Sequence, residues 1–182
     1  MTYNINFTLI DENPEIVSGY ANFLGQFPNW KFKRGDILKA SADALVSPAN
    51  SYGDMQGGID KSYLQEFGGH LEDIVKLYIQ ESHGGFLEIG KSQGVPINAQ
   101  NYKFLICTPT MEEPNLITDP RDIYEAATGL FEELNRINTQ TSSNSIKSVN
   151  LPGLGTGCGG LNGFESGKML ALAYKDFIRK YK

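Results

Sequence analysis

Pro152-Gly153-Leu154-Gly155-Thr156-Gly157-Cys158-Gly159-Gly160 follows the apolar run Ile146 to Leu151 and precedes a helical pattern opened by Asn162, with Glu165 three residues later. That order puts a glycine turn at the carboxyl end of a strand, where open α/β sheets bind their ligands. A second stretch, Asp54-Met55-Gln56-Gly57-Gly58-Ile59-Asp60, repeats the arrangement earlier in the chain, between the buried-strand run Ala44-Leu45-Val46 and a short helix from Gly58 to Phe67. Glycine suits both turns because it reaches φ > 0 and lets an anion approach the backbone without a Cβ in the way. Two such turns can hold one diphosphate between their N–H groups.

Working outward, strands and helices alternate. Asn4 to Ile10 is an apolar strand, and Asn13 caps a helix that begins at Pro14, repeats Ile16, Val17, Tyr20, Phe23 and Leu24 at helical spacing and stops at Gly25. Trp30 to Lys33 is a short strand before Gly35-Asp36-Ile37, and Asp43 to Pro48 is a buried central strand ending in Ala49-Asn50-Ser51. Leu71 to Gln80 is a helix stopped by Gly84-Gly85; Gly94 to Ile97 and Lys103 to Cys107 are strands. Thr108 to Asp119, with Pro109 and Pro114, is an irregular loop, and Asp119-Pro120 opens a long helix to about Asn138. Thr139 to Ser145 is a polar linker, and the last helix runs through Leu170, Leu172, Ala173 and Phe177 to a basic tail, a solvated face at a helix C-terminus. The pattern predicts α/β class: a mostly parallel sheet covered on both faces, three layers in all, formed by residues 1–182 as a single domain.

Composition narrows the function. A net charge of −5 with no basic run gives no broad nucleic-acid surface. Neutral backbone donors and helix N-termini can still hold a small phosphate ligand. With only Cys107 and Cys158, and no signal peptide, lipidation motif or apolar stretch of spanning length, the expectation is a reduced cytoplasmic setting without membrane attachment. His70 and His83 do not stand at metal-ligand spacing from the cysteines, so no metal and no cofactor is expected.

Gly35-Asp36-Ile37, Asp43-Ala44-Leu45-Val46-Ser47-Pro48-Ala49-Asn50-Ser51, Gly57-Gly58-Ile59-Asp60 and Leu154-Gly155-Thr156-Gly157 resemble, in order and spacing, the motifs of the macrodomain family of ADP-ribose binders, across roughly Gly35 to Lys182. The resemblance implies a ligand site built from Asp36, Ile37, Asn50, Gly57, Gly58, Ile59, Gly155, Thr156, Gly157, Cys158 and Gly159. Asp36 would accept from the adenine amino group and Ile37 would offer a backbone N–H beside it. The two glycine turns would wrap the diphosphate and distal ribose. The family commonly continues past its last phosphate turn and helix into one more strand and a closing helix. Asn4 to Asp11 and the Pro14 to Leu24 helix are similar to that pair, which implies a circularly permuted order with the closing elements at the front. Asp11 to Asn13 would then approach the adenine end, although for each of them a helix cap or solvated turn is the plainer reading.

In hydrolytic members, an asparagine and an aspartate at the positions of Asn50 and Asp60 are associated with cleavage at the distal ribose. The implied function is an ADP-ribosyl hydrolase or O-acyl-ADP-ribose deacylase acting on ADP-ribosylated protein, O-acyl-ADP-ribose or ADP-ribose 1″-phosphate. The alternatives are a non-catalytic reader of ADP-ribosylated protein and a domain used for assembly with another polypeptide; the oligomeric state stays open. Asp60, in a first helical turn, would stay strongly ionised beside the helix N-terminus and act as a base through positioning. Departures from the pattern are Ser47 in place of the usual asparagine, with Pro48 after it stiffening the turn and removing one donor, and Cys158-Gly159 where an aliphatic and an aromatic residue are common, which predicts a wider distal mouth. Cys158 reads as a small inert residue, because no histidine or lysine lies in its local sequence. Thr110 and Met111 stand where a cleft wall would be, a place that packing explains equally well.

Overall fold

The structure is a computed structural model that describes residues 5–140 and 145–181. In chain order it contains β1 (Asn6–Asp11), α1 (Pro14–Leu24), β2 (Trp30–Arg34), β3 (Ala42–Ser47), α2 (Gly58–Phe67), α3 (His70–His83), β4 (Gln93–Pro96), β5 (Tyr102–Cys107), α4 (Arg121–Gln140), β6 (Ser148–Leu151) and α5 (Gly163–Lys180), with a 3-10 turn at Ile37–Lys39. Asn4, most of the expected linker and Lys182 lie outside the described residues.

Strand register shows how the alternating apolar residues make three layers. The sheet has six strands in the order β2-β1-β6-β3-β5-β4, parallel throughout except for the antiparallel β4–β5 pair. Side chains alternate across a strand, so Ala44 and Val46 of β3 and Ile106 of β5 enter one core while Leu45, Leu105 and Cys107 enter the other. The first core is closed by α1, α4 and α5 through Tyr20, Leu130, Phe131, Leu170 and Phe177. The second is closed by α2 and α3 through Tyr63, Leu71, Val75 and Ile79. Strands covered on both faces read as continuous apolar runs, as β3 and β5 do.

The ends of the elements follow local chemistry. Asn13 caps α1 by accepting from the Glu15 N–H at 2.9 Å, Pro14 takes the first helical position, and Gly84 ends α3 in the left-handed conformation with φ 67°. Asn162 and Glu165 form a reciprocal capping box on α5. Strand β6 begins at Ser148 rather than Ile146, because the Asn138 carboxamide takes both backbone groups of Ile146, at 2.7 and 2.8 Å, in place of a neighbouring strand. A buried polar chain crosses the second core: Asn150 donates to the Tyr102 hydroxyl at 3.0 Å, and that hydroxyl donates to the Ile37 carbonyl at 2.6 Å. It ties the turn after Asp36 to the middle of the sheet.

Candidate active site

The carboxyl ends of β1, β3, β5 and β6 open onto one cleft of about 370 Å³, with both glycine turns in its lining. A groove of about 540 Å³ adjoins it, lined by Gly35, Asp36 and Ile37, and the two share Asp11, Gly58 and Ile59. Every residue that the resemblance assigned to the ligand lines one or the other. Asp11 lines both, Glu12 only the groove and Asn13 only the cleft. In this structure Asn13 also makes the plain helix cap, and Asp11 accepts from the N–H groups of Asn13 at 2.9 Å and Gly153 at 3.2 Å.

The first turn is held from outside itself. Glu72 of α3 accepts from the Met55 N–H at 2.7 Å and from the Gln56 amide at 2.9 Å, and Lys76 pairs with Asp54 at 2.7 Å. Asn50 uses its side chain on the same loop: Oδ1 accepts from the N–H groups of Tyr52 and Asp54, and Nδ2 donates to the Asp54 carbonyl. The carboxamide that the resemblance assigned to the ligand therefore shapes the wall of the cleft. An Asx-type loop of this kind presents its remaining N–H groups outward.

Asp60 differs from the sequence expectation. It lies in the first turn of α2, yet its side chain is only 5% exposed, facing the end of β3, where its Oδ1 accepts from the Ser47 hydroxyl at 2.6 Å. Burial pushes its carboxyl up to about 7, with the Ser47 hydrogen bond pulling the other way. A favourable helix end alone would leave it fully ionised. Desolvation outweighs that effect here, and the group becomes half-protonated near neutrality. A carboxyl so placed can take or give a proton at the pH where the protein works.

The second turn is packed rather than propped. Gly155 has φ 65°, and a Cβ there would come within 2.6 Å of Ile117 and 2.7 Å of Ile123. A Cβ on Gly159 would stand 2.5 Å from the Gly155 carbonyl oxygen and 2.8 Å from Ile117, while the Ile117 N–H donates to the Gly159 carbonyl at 2.9 Å. The distal mouth is therefore not simply widened by Gly159. Ile117, from the irregular loop after β5, fills the space where a side chain at 159 would begin. Cys158 is exposed, within 3.6 Å of the Met111 sulfur.

Asp36 caps the 3-10 turn, accepting from the Leu38 N–H at 2.9 Å, with Lys39 at 3.9 Å. Its side chain is 38% exposed, which leaves acceptor capacity facing the groove. Thr110 was underweighted in sequence. It is buried, lines the cleft, and its hydroxyl has no hydrogen-bond partner among the described residues, whereas the other two such atoms belong to Trp30 and Ser51, outside the cleft lining. The link from Ser47 to Asp60 was also missed: thirteen residues separate them, and only the fold brings them together. Another depression of about 540 Å³ beside α4 is lined by Arg136 and Glu133, but those charges pair with each other at 2.6 Å. Among the described residues no group of His, Cys, Asp and Glu could hold a metal ion, and no helix is long and apolar enough to cross a membrane.

The Macro domain family model matches residues 46–170, from the end of β3 into the first half of α5, and so takes in both glycine turns and Asp60. The chain belongs to the macro domain family. Macro domains of known structure share its fold. The macrodomain of Mycobacterium tuberculosis DarG superposes with a TM-score of 0.63 at 24% identity, covering 78% of this chain and 87% of that one. Thermosipho africanus DarTG in complex with ADP-ribose gives 0.63 at 18% identity, covering 78% and 37%. In sequence, an uncharacterized protein of Aquifex aeolicus is 28% identical over 152 residues, covering 84% of this chain and 82% of its own length.

Proposed function

We propose that this macro domain binds ADP-ribose across the two joined depressions and hydrolyses an ADP-ribose derivative at the distal ribose. One observation carries the reading: two glycine turns line a single cleft that also holds a buried carboxyl poised near neutrality, and that cleft opens into the groove of Asp36. Asp36 accepts from the adenine amino group, and Ile37 contributes the adjoining N–H. Gly57, Gly58, Ile59 and the Gly155 to Gly159 segment donate backbone N–H groups to the diphosphate. Among the described residues no Lys, Arg or His lines the cleft, so fixed dipoles do this work. The ADP-ribose named with the Thermosipho protein is consistent with that assignment.

In the catalytic step ionised Asp60 accepts a proton from water as the water oxygen attacks the anomeric carbon of the distal ribose or an ester carbonyl on it. The bond from that carbon to the departing oxygen breaks, and the departing oxygen takes up the proton held by Asp60, so that Asp60 returns to the carboxylate. Candidate substrates are ADP-ribosylated acidic side chains, O-acyl-ADP-ribose and ADP-ribose 1″-phosphate. The same reading includes the permuted order. β1 and α1 precede the family match, β1 pairs with β6 in the sheet interior, and α1 packs on α5. It also places the protein in a reduced cytoplasm, where Cys107 and Cys158 stay as free thiols. A second reading, capture without turnover, is favoured by the commitment of the Asn50 carboxamide to its own loop.

Calorimetry with ADP-ribose tests binding, and mass spectrometry of the three substrate classes after incubation tests turnover. Asp60→Ala is expected to lower the rate by about 100-fold or more with affinity little changed, because the carboxyl acts on the transition state. Unchanged turnover in that variant removes Asp60 from the chemistry. Binding with no release of product selects the reader.

A further inference from the structure

Ser47 occupies the last position of β3, is fully buried, and does not line the cleft. Its backbone is fixed on the β5 side, where the Thr108 N–H donates to the Ser47 carbonyl at 2.9 Å. Its hydroxyl reaches Asp60 Oδ1 at 2.6 Å. We propose that Ser47 is the positioning residue of this site, holding one oxygen of Asp60 so that the carboxyl is oriented for proton transfer in the cleft and its ionised form is favoured over what burial alone would leave; the role in turnover rests on the hydrolytic reading above.

The surroundings of Asp60 leave this job to Ser47. The titratable groups facing the carboxyl are Tyr63, one turn further along α2, and Cys107, on β5. Both are fully buried and neutral: burial raises the phenol and the thiol far above their ordinary values, and the Tyr63 hydroxyl is spent on the Val46 carbonyl at 3.1 Å. Among the described residues no cation faces Asp60 to offset its charge. The Ser47 hydroxyl is therefore the hydrogen bond that favours the ionised form, and a hydroxyl bonded to a charge is worth more than one bonded to a neutral group. A serine also suits the distance. Its short side chain meets the carboxylate directly from the strand end, and Pro48 behind it restricts the backbone that aims it.

The test uses the full-length protein and reads Asp60 in two independent ways. With aspartate carboxyl carbons labelled, NMR follows the Asp60 titration in the ligand-free protein, and the pH profile of the rate follows it during turnover. Ser47→Ala is expected to move the titration midpoint up by about one pH unit, because one hydrogen bond to the ionised form is lost. The rate at pH 7 then falls about fivefold and recovers toward the native value in alkali, while KM stays near native. Ser47→Thr, which keeps the donor, is expected to return the midpoint. An unmoved midpoint in Ser47→Ala, or a loss of rate equal at every pH, overturns the proposal. Should the native protein turn over none of the three substrates, the hydrolytic reading fails by itself, and the NMR midpoints still decide whether Ser47 governs Asp60.

Discussion

The two glycine turns line the same cleft but are packed differently, although each has a glycine at positive φ, Gly155 in the second and Gly58 at 56° in the first. In the second turn the glycines are demanded by the protein: Gly155 has a positive φ and, like Gly159, has no room for a Cβ beside Ile117. In the first turn, Gly57 has an ordinary extended φ of −131°, and a Cβ there would meet no heavy atom within 4 Å. Gly157, at the tip of the second turn, is equally open. The packed glycines explain how the cleft is shaped. The open ones have no packing reason to be glycine, which fits a surface kept bare for a ligand backbone to approach. The first turn also carries the acid of the site, whereas the second carries none.

That acid gives the largest expected effect. The folded carboxyl of Asp60 titrates at about 7, above its unfolded value of about 4, so the native state holds the extra proton between those values and stability falls as pH rises through that window. Asp60→Asn abolishes the slope. Chemical denaturation at a series of pH values should show the variant equal to native near pH 4 and more stable by roughly 3–4 kcal/mol at pH 8. Parallel curves for the two proteins would mean that Asp60 is not desolvated as described.

Next comes the packed turn. Gly155→Ala should cost about 2–4 kcal/mol from left-handed strain plus overpacking against Ile117 and Ile123, and lower Tm by roughly 5–15 °C. Gly57→Ala and Gly157→Ala should do the reverse of this: Tm within a degree or two of native, but ADP-ribose affinity about tenfold weaker by calorimetry. If all three variants lost stability alike, the contrast between packed and open glycines would be gone. The smallest effect belongs to the cleft wall, where Thr110→Val removes a buried hydroxyl with no partner and should raise stability by about 0.5–1 kcal/mol in thermal melts of the free protein. A drop would show that the hydroxyl is satisfied in solution.

Much of the fold was legible because its signals are local. Pro14 after Asn13, Gly84 after the α3 pattern and the Asn162–Glu165 pair each fix a helix end within a few residues, and α2 and α1 fall on their expected bounds. The alternation of strand and helix carried the three layers. That both glycine turns line one cleft was legible for the same reason. The state of those residues was not. Asp60 shows the chemistry of a helix end in sequence, but its proton affinity depends on burial beneath β3 and on Ser47, which no local pattern reveals. Likewise, Ile117 fills the place beside Gly159 from a segment some forty residues away, across the intervening α4 and β6. Irregular loops carry no periodicity from which such a contact could be foreseen.

The position of β1 has a consequence for how the chain is made. This strand is synthesised before the other five of its sheet but sits inside it, with β2 on one side and β6 on the other, and α1 finds its main helical partner in α5. Until β6 and α5 have left the ribosome, one edge of β1 has no partner strand and α1 lacks its main helical partner. Contacts of such long sequence separation make for slow assembly and leave the growing chain open to mispairing. Release of β6 and α5 would then be the event that lets this half of the sheet close over its core.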